Sequence, residues 1–183
     1  MVELKISGRG GQGAVLASQI LASAFFEKGF YVQAFPSFGA ERRGAPVSAF
    51  LRVDSKEITL RYTVQNPDWL VLFDADLLKN PTAMGGTGEK TSILVNASPN
   101  QEPEVKACKD FFIVDATAIA EGLNLKTTSF SIINTAMVGA FAKSSTLLGI
   151  ESIVKAIEEL VPVKRAQNAA AAREAYEKVR EIG

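Results

Sequence analysis

Two short stretches of this chain hold residues whose types and spacing could do chemistry. The first is Gly8-Arg9-Gly10-Gly11-Gln12-Gly13, in which Gly8, Gly10 and Gly13 match the spacing G-x-G-x-x-G. Glycines lack Cβ atoms, so such a turn can bend tightly and press its N–H groups against a ligand. If a helix begins directly after it, the helix N-terminus adds about half a positive charge, and the combination suits a phosphate or pyrophosphate. The second stretch is Glu41-Arg42-Arg43 within Pro36 to Pro46. Adjacent arginines offer planar, permanently charged forks suited to phosphates or carboxylates. A bland reading stands beside each: a glycine turn that only packs helix on strand, and a solvated charge cluster.

What the chain lacks is as informative. It has no histidine, which excludes Ser-His-Asp triads, Cys-His pairs and His-bearing metal sites. Its one cysteine, Cys108, cannot by itself hold an iron-sulfur cluster or a structural zinc, and reads as a buried, inert thiol. Lys plus Arg number 20 and Asp plus Glu number 20, without the basic excess of a nucleic-acid binder. No apolar run reaches the ~18–20 residues that span a bilayer, and Met1 to Ser7 has no signal-peptide pattern. The expectation is a cytoplasmic protein that binds neither nucleic acid nor membrane.

The elements that must position these residues follow from periodicity. Val2 to Ser7 alternates apolar and polar residues as a strand does, Ala14 to Lys28 reads as a helix closed by Gly29, and Phe30 to Phe35 as a second strand. That is a Rossmann-like strand-helix-strand unit, for which parallel pairing with a right-handed crossover is expected. Val47 to Val53 and Glu57 to Tyr62 read as a hairpin across Asp54-Ser55-Lys56. Trp69 to Phe73, Ser92 to Asn96 and Phe111 to Asp115 are short apolar strands. Asp115 is placed to cap a helix. Asn134 to Leu147, Glu151 to Val161 and Lys164 to Ile182 read as helices. The expected class is α/β, one domain over 1–183, with a mixed, mostly parallel sheet and helices on its faces.

A nicotinamide or flavin dinucleotide is the obvious ligand for the glycine turn, and one check fails. Such sites place an acid about 20 positions further on, at the end of the second strand. Here that strand ends Ala34-Phe35-Pro36-Ser37. A different phosphorylated ligand is favoured.

Taken together, G-R-G-G-Q-G at residues 8–13 and F-P-S-F-G-A-E-R-R-G-A-P-V at residues 35–47 resemble the gamma subunit of the pyruvate/2-ketoisovalerate:ferredoxin oxidoreductases. Gln65-Asn66-Pro67-Asp68, Asn134 to Phe141 and Asn168 to Tyr176 are similar to further stretches of that family. The resemblance implies a subunit of a pyruvate synthase, in complex with alpha, beta and delta subunits and serving ferredoxin. It implies coenzyme A as the substrate handled here, with thiamine diphosphate and [4Fe-4S] clusters on the partners. Gly8, Arg9, Gly10, Gly11, Gln12, Gly13, Arg42, Arg43 and Asn134 are the residues it suggests for coenzyme A, and none is expected to be catalytic. Asn134 reads first as a helix cap. Two other functions stay open on the residues alone: a purely structural assembly subunit, and an independent Rossmann-type nucleotide-binding enzyme.

Overall fold

The computed structural model describes residues 1–37, 46–101, 103, 107–128 and 131–182. In chain order the elements are β1 (Val2–Arg9), α1 (Ala14–Glu27), β2 (Tyr31–Ser37), β3 (Pro46–Asp54), β4 (Trp69–Leu72), a 3-10 turn (Ala75–Lys79) and α2 (Pro81–Met84). Then come β5 (Ser92–Asn96), β6 (Phe111–Val114), α3 (Ala116–Gly122), α4 (Asn134–Ser145), α5 (Ile150–Leu160), α6 (Arg165–Lys178) and β7 (Arg180–Glu181).

The strands form one mixed sheet in the order β2-β3-β1-β4-β5-β6-β7. Its middle, β1-β4-β5-β6, is parallel. β3 lies antiparallel between β1 and β2, and β7 antiparallel on β6. The α/β class with a mixed sheet is therefore as the sequence indicates. The neighbours differ in two places. β1 and β2 run the same way but do not pair, because β3 sits between them, with Ile6 opposite Ala49 and Ala49 opposite Pro36. A short return can join antiparallel strands directly, whereas a parallel pair needs a long crossover. Residues 57–62 form no strand: β3 already pairs on both edges, so it has no edge left for a hairpin partner.

The strands alternate as a two-faced sheet requires. Leu4, Ile6, Leu51, Val53, Val71 and Leu94 face one core with Ile20, Leu21 and Phe25 of α1 and with the buried faces of α4, α5 and α6. α4 can sit deep in this core because Gly139 lets α6 approach: a Cβ there would stand 2.1 Å from the carbonyl oxygen of Ala172. On the other face Leu70, Leu72, Ile93, Val95 and Ile113 are covered by Leu77 and Ala83. The last helix stops at Lys178 rather than running through Ile182, and the chain turns extended at Val179 to add β7 to β6. Asp115 caps α3, its Oδ1 accepting from the Ala118 N–H at 2.8 Å. Among the described residues no helix is long and apolar enough to cross a membrane.

Candidate functional site

β1 ends where the glycine turn begins, at the carboxyl edge of the parallel strands. In open α/β sheets this edge is where ligands bind. Gln12 closes the turn from both sides: its N–H donates to the Arg9 carbonyl at 3.1 Å, and its Oε1 accepts from the Arg9 N–H at 2.6 Å. Gly11 and Gly13 hold φ of +93° and +88°, the left-handed region that favours glycine. Gly13 is also the residue that opens α1, which begins with no side-chain cap and no acidic residue in its first turn. Among the described residues no side chain caps the early N–H groups of α1, and free N–H groups at a helix start are where anions are commonly bound.

Gly8, Gly10 and Gly13 differ in the room around them. A Cβ on Gly8 would press on Gln12 Oε1 and Phe73, at 3.1 and 3.2 Å. A Cβ on Gly13 would come within 2.7 Å of Asn134 Nδ2. A Cβ on Gly10 would meet nothing within 4 Å. Gly13 is therefore required by packing and by its left-handed backbone, Gly8 is tightly confined, and Gly10 faces open space among the described residues.

The structure brings Asn134 to the glycine turn, 121 positions after Gly13 in sequence. It is buried, and it is the first residue of α4 rather than its cap; Ile133 holds the cap position. Its Oδ1 accepts from the Thr135 N–H at 2.9 Å, so it still satisfies one of the helix's unpaired donors. Thr135 Oγ1 bonds Asn168 Oδ1 at 2.9 Å, and Asn168 Nδ2 donates to the carbonyls of Val163 and Lys164. The starts of α4 and α6 are fastened together through this buried row, with Gly13 at the start of α1 close against Asn134. Asn168 carried no site reading from sequence, because its partner lies 33 positions away.

Arg9 is half-exposed. Its Nε donates to Asp74 Oδ2 at 2.6 Å and its Nη2 to Asp76 Oδ2 at 3.1 Å. Two carboxylates thus hold the guanidinium beside the turn. Sequence reasoning missed Asp74 and Asp76; the available signal was an Asp-x-Asp directly after an apolar strand end. They border a cavity of about 420 Å³ at the carboxyl ends of β4, β5 and β6, which Gln12, Asn96, Asp115 and Glu121 also line. Carboxylates only accept hydrogen bonds, so this cavity suits hydroxyl or amine donors and disfavours phosphate.

Arg42 and Arg43 lie outside the described residues. The strand ends that flank their segment are described: Ser37 pairs with Ser48, and Pro46 pairs with Arg9. Both flanks therefore stand at the same sheet edge as the glycine turn. Cys108 is half-buried, and burial first, with the Asp110 charge second, pushes its thiol up from the ordinary value. It is protonated at neutral pH and unsuited to nucleophilic work. Among the described residues no cluster of three or more His, Cys, Asp or Glu could hold a metal. Among the described residues no nucleophile stands hydrogen-bonded to a base at the turn.

The class defined by this fold is a mixed α/β sheet with a glycine turn at the carboxyl edge of its parallel strands. Residues 3–178 match the family described as pyruvate ferredoxin/flavodoxin oxidoreductase, and the chain belongs to that family. It is 45% identical over 183 residues to the common gamma subunit of the pyruvate/ketoisovalerate oxidoreductases of Pyrococcus furiosus, covering 97% of each chain. It is similar to the crystal structure of pyruvate oxidoreductase subunit PORC from Thermotoga maritima, with TM-score 0.81, 37% identity and coverage of 100% and 98% of the two chains. The fold also recurs, at TM-score 0.72 and 16% identity, over 96% of this chain and 30% of a longer one. That longer chain is the 2-oxoglutarate:ferredoxin oxidoreductase of Magnetococcus marinus, solved with 2-oxoglutarate, coenzyme A and succinyl-CoA bound.

Proposed function

We propose that this chain is the gamma subunit of a multisubunit pyruvate:ferredoxin oxidoreductase and that its glycine turn helps bind and position coenzyme A. The enzyme oxidatively decarboxylates pyruvate, and the coenzyme A thiol takes the resulting acetyl group. The electrons leave to ferredoxin. Thiamine diphosphate and the [4Fe-4S] clusters that this chemistry requires belong on the alpha, beta and delta partners. That division fits a chain with no histidine and one cysteine.

The observation that carries the reading is the start of α1, without a side-chain cap, behind a glycine turn whose Gly10 meets nothing among the described residues. A pyrophosphate there would accept from main-chain N–H groups and feel the positive end of the helix. Arg9 would add a cation at the rim, and its pairing with Asp74 and Asp76 would keep the adjacent cavity from repelling the ligand at full strength. The chain makes and breaks no bond; it holds the phosphate end so that the thiol reaches the partners' reaction centre.

The test is calorimetric titration of the assembled complex with coenzyme A, NAD and ADP, repeated on a complex prepared without this chain. The reading predicts that coenzyme A binds the full assembly, that NAD does not, and that removing this chain weakens coenzyme A binding. Equal coenzyme A affinity with and without the chain would leave it only a structural role. Tight NAD binding would make it a dinucleotide protein.

A further inference from the structure

Two helices begin at the same point. Gly13 opens α1 and Asn134 is the first residue of α4. They stand so close that a Cβ on Gly13 would lie 2.7 Å from Asn134 Nδ2. α1 runs for 14 residues and α4 for 12, and neither has an acidic residue in its first turn. Neither cap residue, Gly13 or Ile133, makes a side-chain bond to its helix. Each helix start carries about half a positive charge. Two like ends brought together repel, and a negative group between them removes that cost. Asp74 and Asp76, the carboxylates bonded to the turn, are engaged by Arg9.

The side chain of Asn134 is aimed at this meeting point. The residue is only 2% exposed. Its Oδ1 accepts from the Thr135 N–H at 2.9 Å, which leaves the Nδ2 edge of the amide towards Gly13. Thr135 is fixed in turn, its Oγ1 bonded to Asn168 Oδ1 at 2.9 Å. Asn168 Nδ2 is held by the carbonyls of Val163 and Lys164, so the row cannot reverse its amides without loss. Among the described residues Asn134 Nδ2 has no acceptor. An amide nitrogen carries two donor hydrogens, and leaving them unmade in a buried side chain is unfavourable. Gly13 itself is only half-buried, so a ligand lying on the turn comes within reach of Nδ2.

We propose that a phosphate of coenzyme A sits between the starts of α1 and α4 and accepts a hydrogen bond from Asn134 Nδ2 as well as from main-chain N–H groups of α1. The proposal rests on the reading of the glycine turn as a coenzyme A site and deepens it, by making Asn134 the side chain that recognises the phosphate. The groups that converge here are donors and helix positive ends, which suit an anion with several acceptor oxygens.

The test is calorimetric titration of the assembled complex carrying wild-type chain, Asn134→Asp or Asn134→Ser, with coenzyme A and with 3′-dephospho-coenzyme A. Asn134→Asp keeps an oxygen for the Thr135 N–H, and its charge sits at two helix starts that favour it. The complex should therefore assemble with a thermal midpoint at or above that of wild type. The carboxylate would repel the phosphate instead of donating to it, so affinity for coenzyme A should fall about tenfold or more. Asn134→Ser also keeps an oxygen at the helix start but withdraws the donor from Gly13, and should weaken coenzyme A about fivefold or more. It decides the matter if the Asp variant does not assemble. An equal loss with 3′-dephospho-coenzyme A assigns the contact to the pyrophosphate, and a loss confined to coenzyme A assigns it to the 3′-phosphate. Wild-type affinity in the assembled variants, with affinity still lost when this chain is left out, overturns the proposal alone. Affinity unchanged when the chain is left out overturns the reading of the site as well.

Discussion

Replacing Gly13 with alanine adds one methyl group and nothing else, and the structure sets its cost. The residue holds φ +88°, and an L-residue in the left-handed region costs about 1–2 kcal/mol. The new Cβ would stand 2.7 Å from Asn134 Nδ2, 3.1 Å from its Cγ and 3.2 Å from its Cβ. Asn134 is buried and bonded to the Thr135 N–H, so it cannot swing away without loss. Overpacking of this kind costs about 1–3 kcal/mol. The two contributions sum to about 2–5 kcal/mol, a drop in the thermal midpoint of about 5–15 °C for a chain of this size. Gly10→Ala is the control, because its Cβ meets nothing within 4 Å, and the shift should stay within about 0.5 kcal/mol. The assay is urea and thermal unfolding of both variants, completed by Asn134→Ala and the Gly13→Ala/Asn134→Ala pair. Removing the amide relieves the overlap and leaves the backbone strain, so the double variant should lose about 1 kcal/mol or more less than the sum of the singles. Additive singles, or a Gly13→Ala variant as stable as wild type, would refute the geometry described for the turn.

Two further outcomes are expected. Gly139→Ala should destabilise the fold by about 1–3 kcal/mol or more, since its Cβ would overlap Ala172 backbone that cannot give way; an unchanged urea midpoint would contradict the close α4–α6 crossing. Lys5 is buried, donating to the carbonyls of Thr82 at 2.7 Å and Gly85 at 3.2 Å, and burial lowers its pKa below 10.5. Between the folded value and 10.5 the unfolded chain binds more protons, so stability rises with pH in that window. Wild type should therefore gain stability relative to Lys5→Met from neutrality towards pH 10.5, and a flat difference in unfolding free energy would contradict it.

The local elements were legible because their signals are local. β1, the glycine turn and α1 follow one another without a gap, and Asp115 caps α3 from the position its type and sequence context indicate. The order of strands was not legible. The edge taken by β3 depends on competition between β1, β2 and residues 57–62, and a local pattern carries no information about which pairing leaves no bare edge inside the sheet. β7 is two residues long and continues the pattern of α6, so it was read as helix. In the site, the type of Gln12 allows either a ligand contact or a bond within the turn, and the structure shows the bond within the turn, to Arg9. The Asp74 and Asp76 clasp on Arg9 and the Asn168 link under Asn134 join residues that only the folded sheet brings together. Cys108, read as buried, is half-buried, and its raised pKa keeps it inert all the same.

The central claim is that the open side of the glycine turn receives the coenzyme A phosphates, and Gly10→Asp tests it most directly. Among the described residues nothing stands within 4 Å of a Cβ at position 10, which has no left-handed backbone demand, so the variant should fold and assemble. A carboxylate there would face the phosphate; two like charges about 4 Å apart near a surface repel by about 4 kcal/mol. The measurement is the Michaelis constant for coenzyme A in the assembled enzyme, with that for pyruvate taken in parallel. The account predicts a rise of about tenfold or more for coenzyme A and no change for pyruvate. A normally assembled Gly10→Asp enzyme with wild-type constants for both would contradict it.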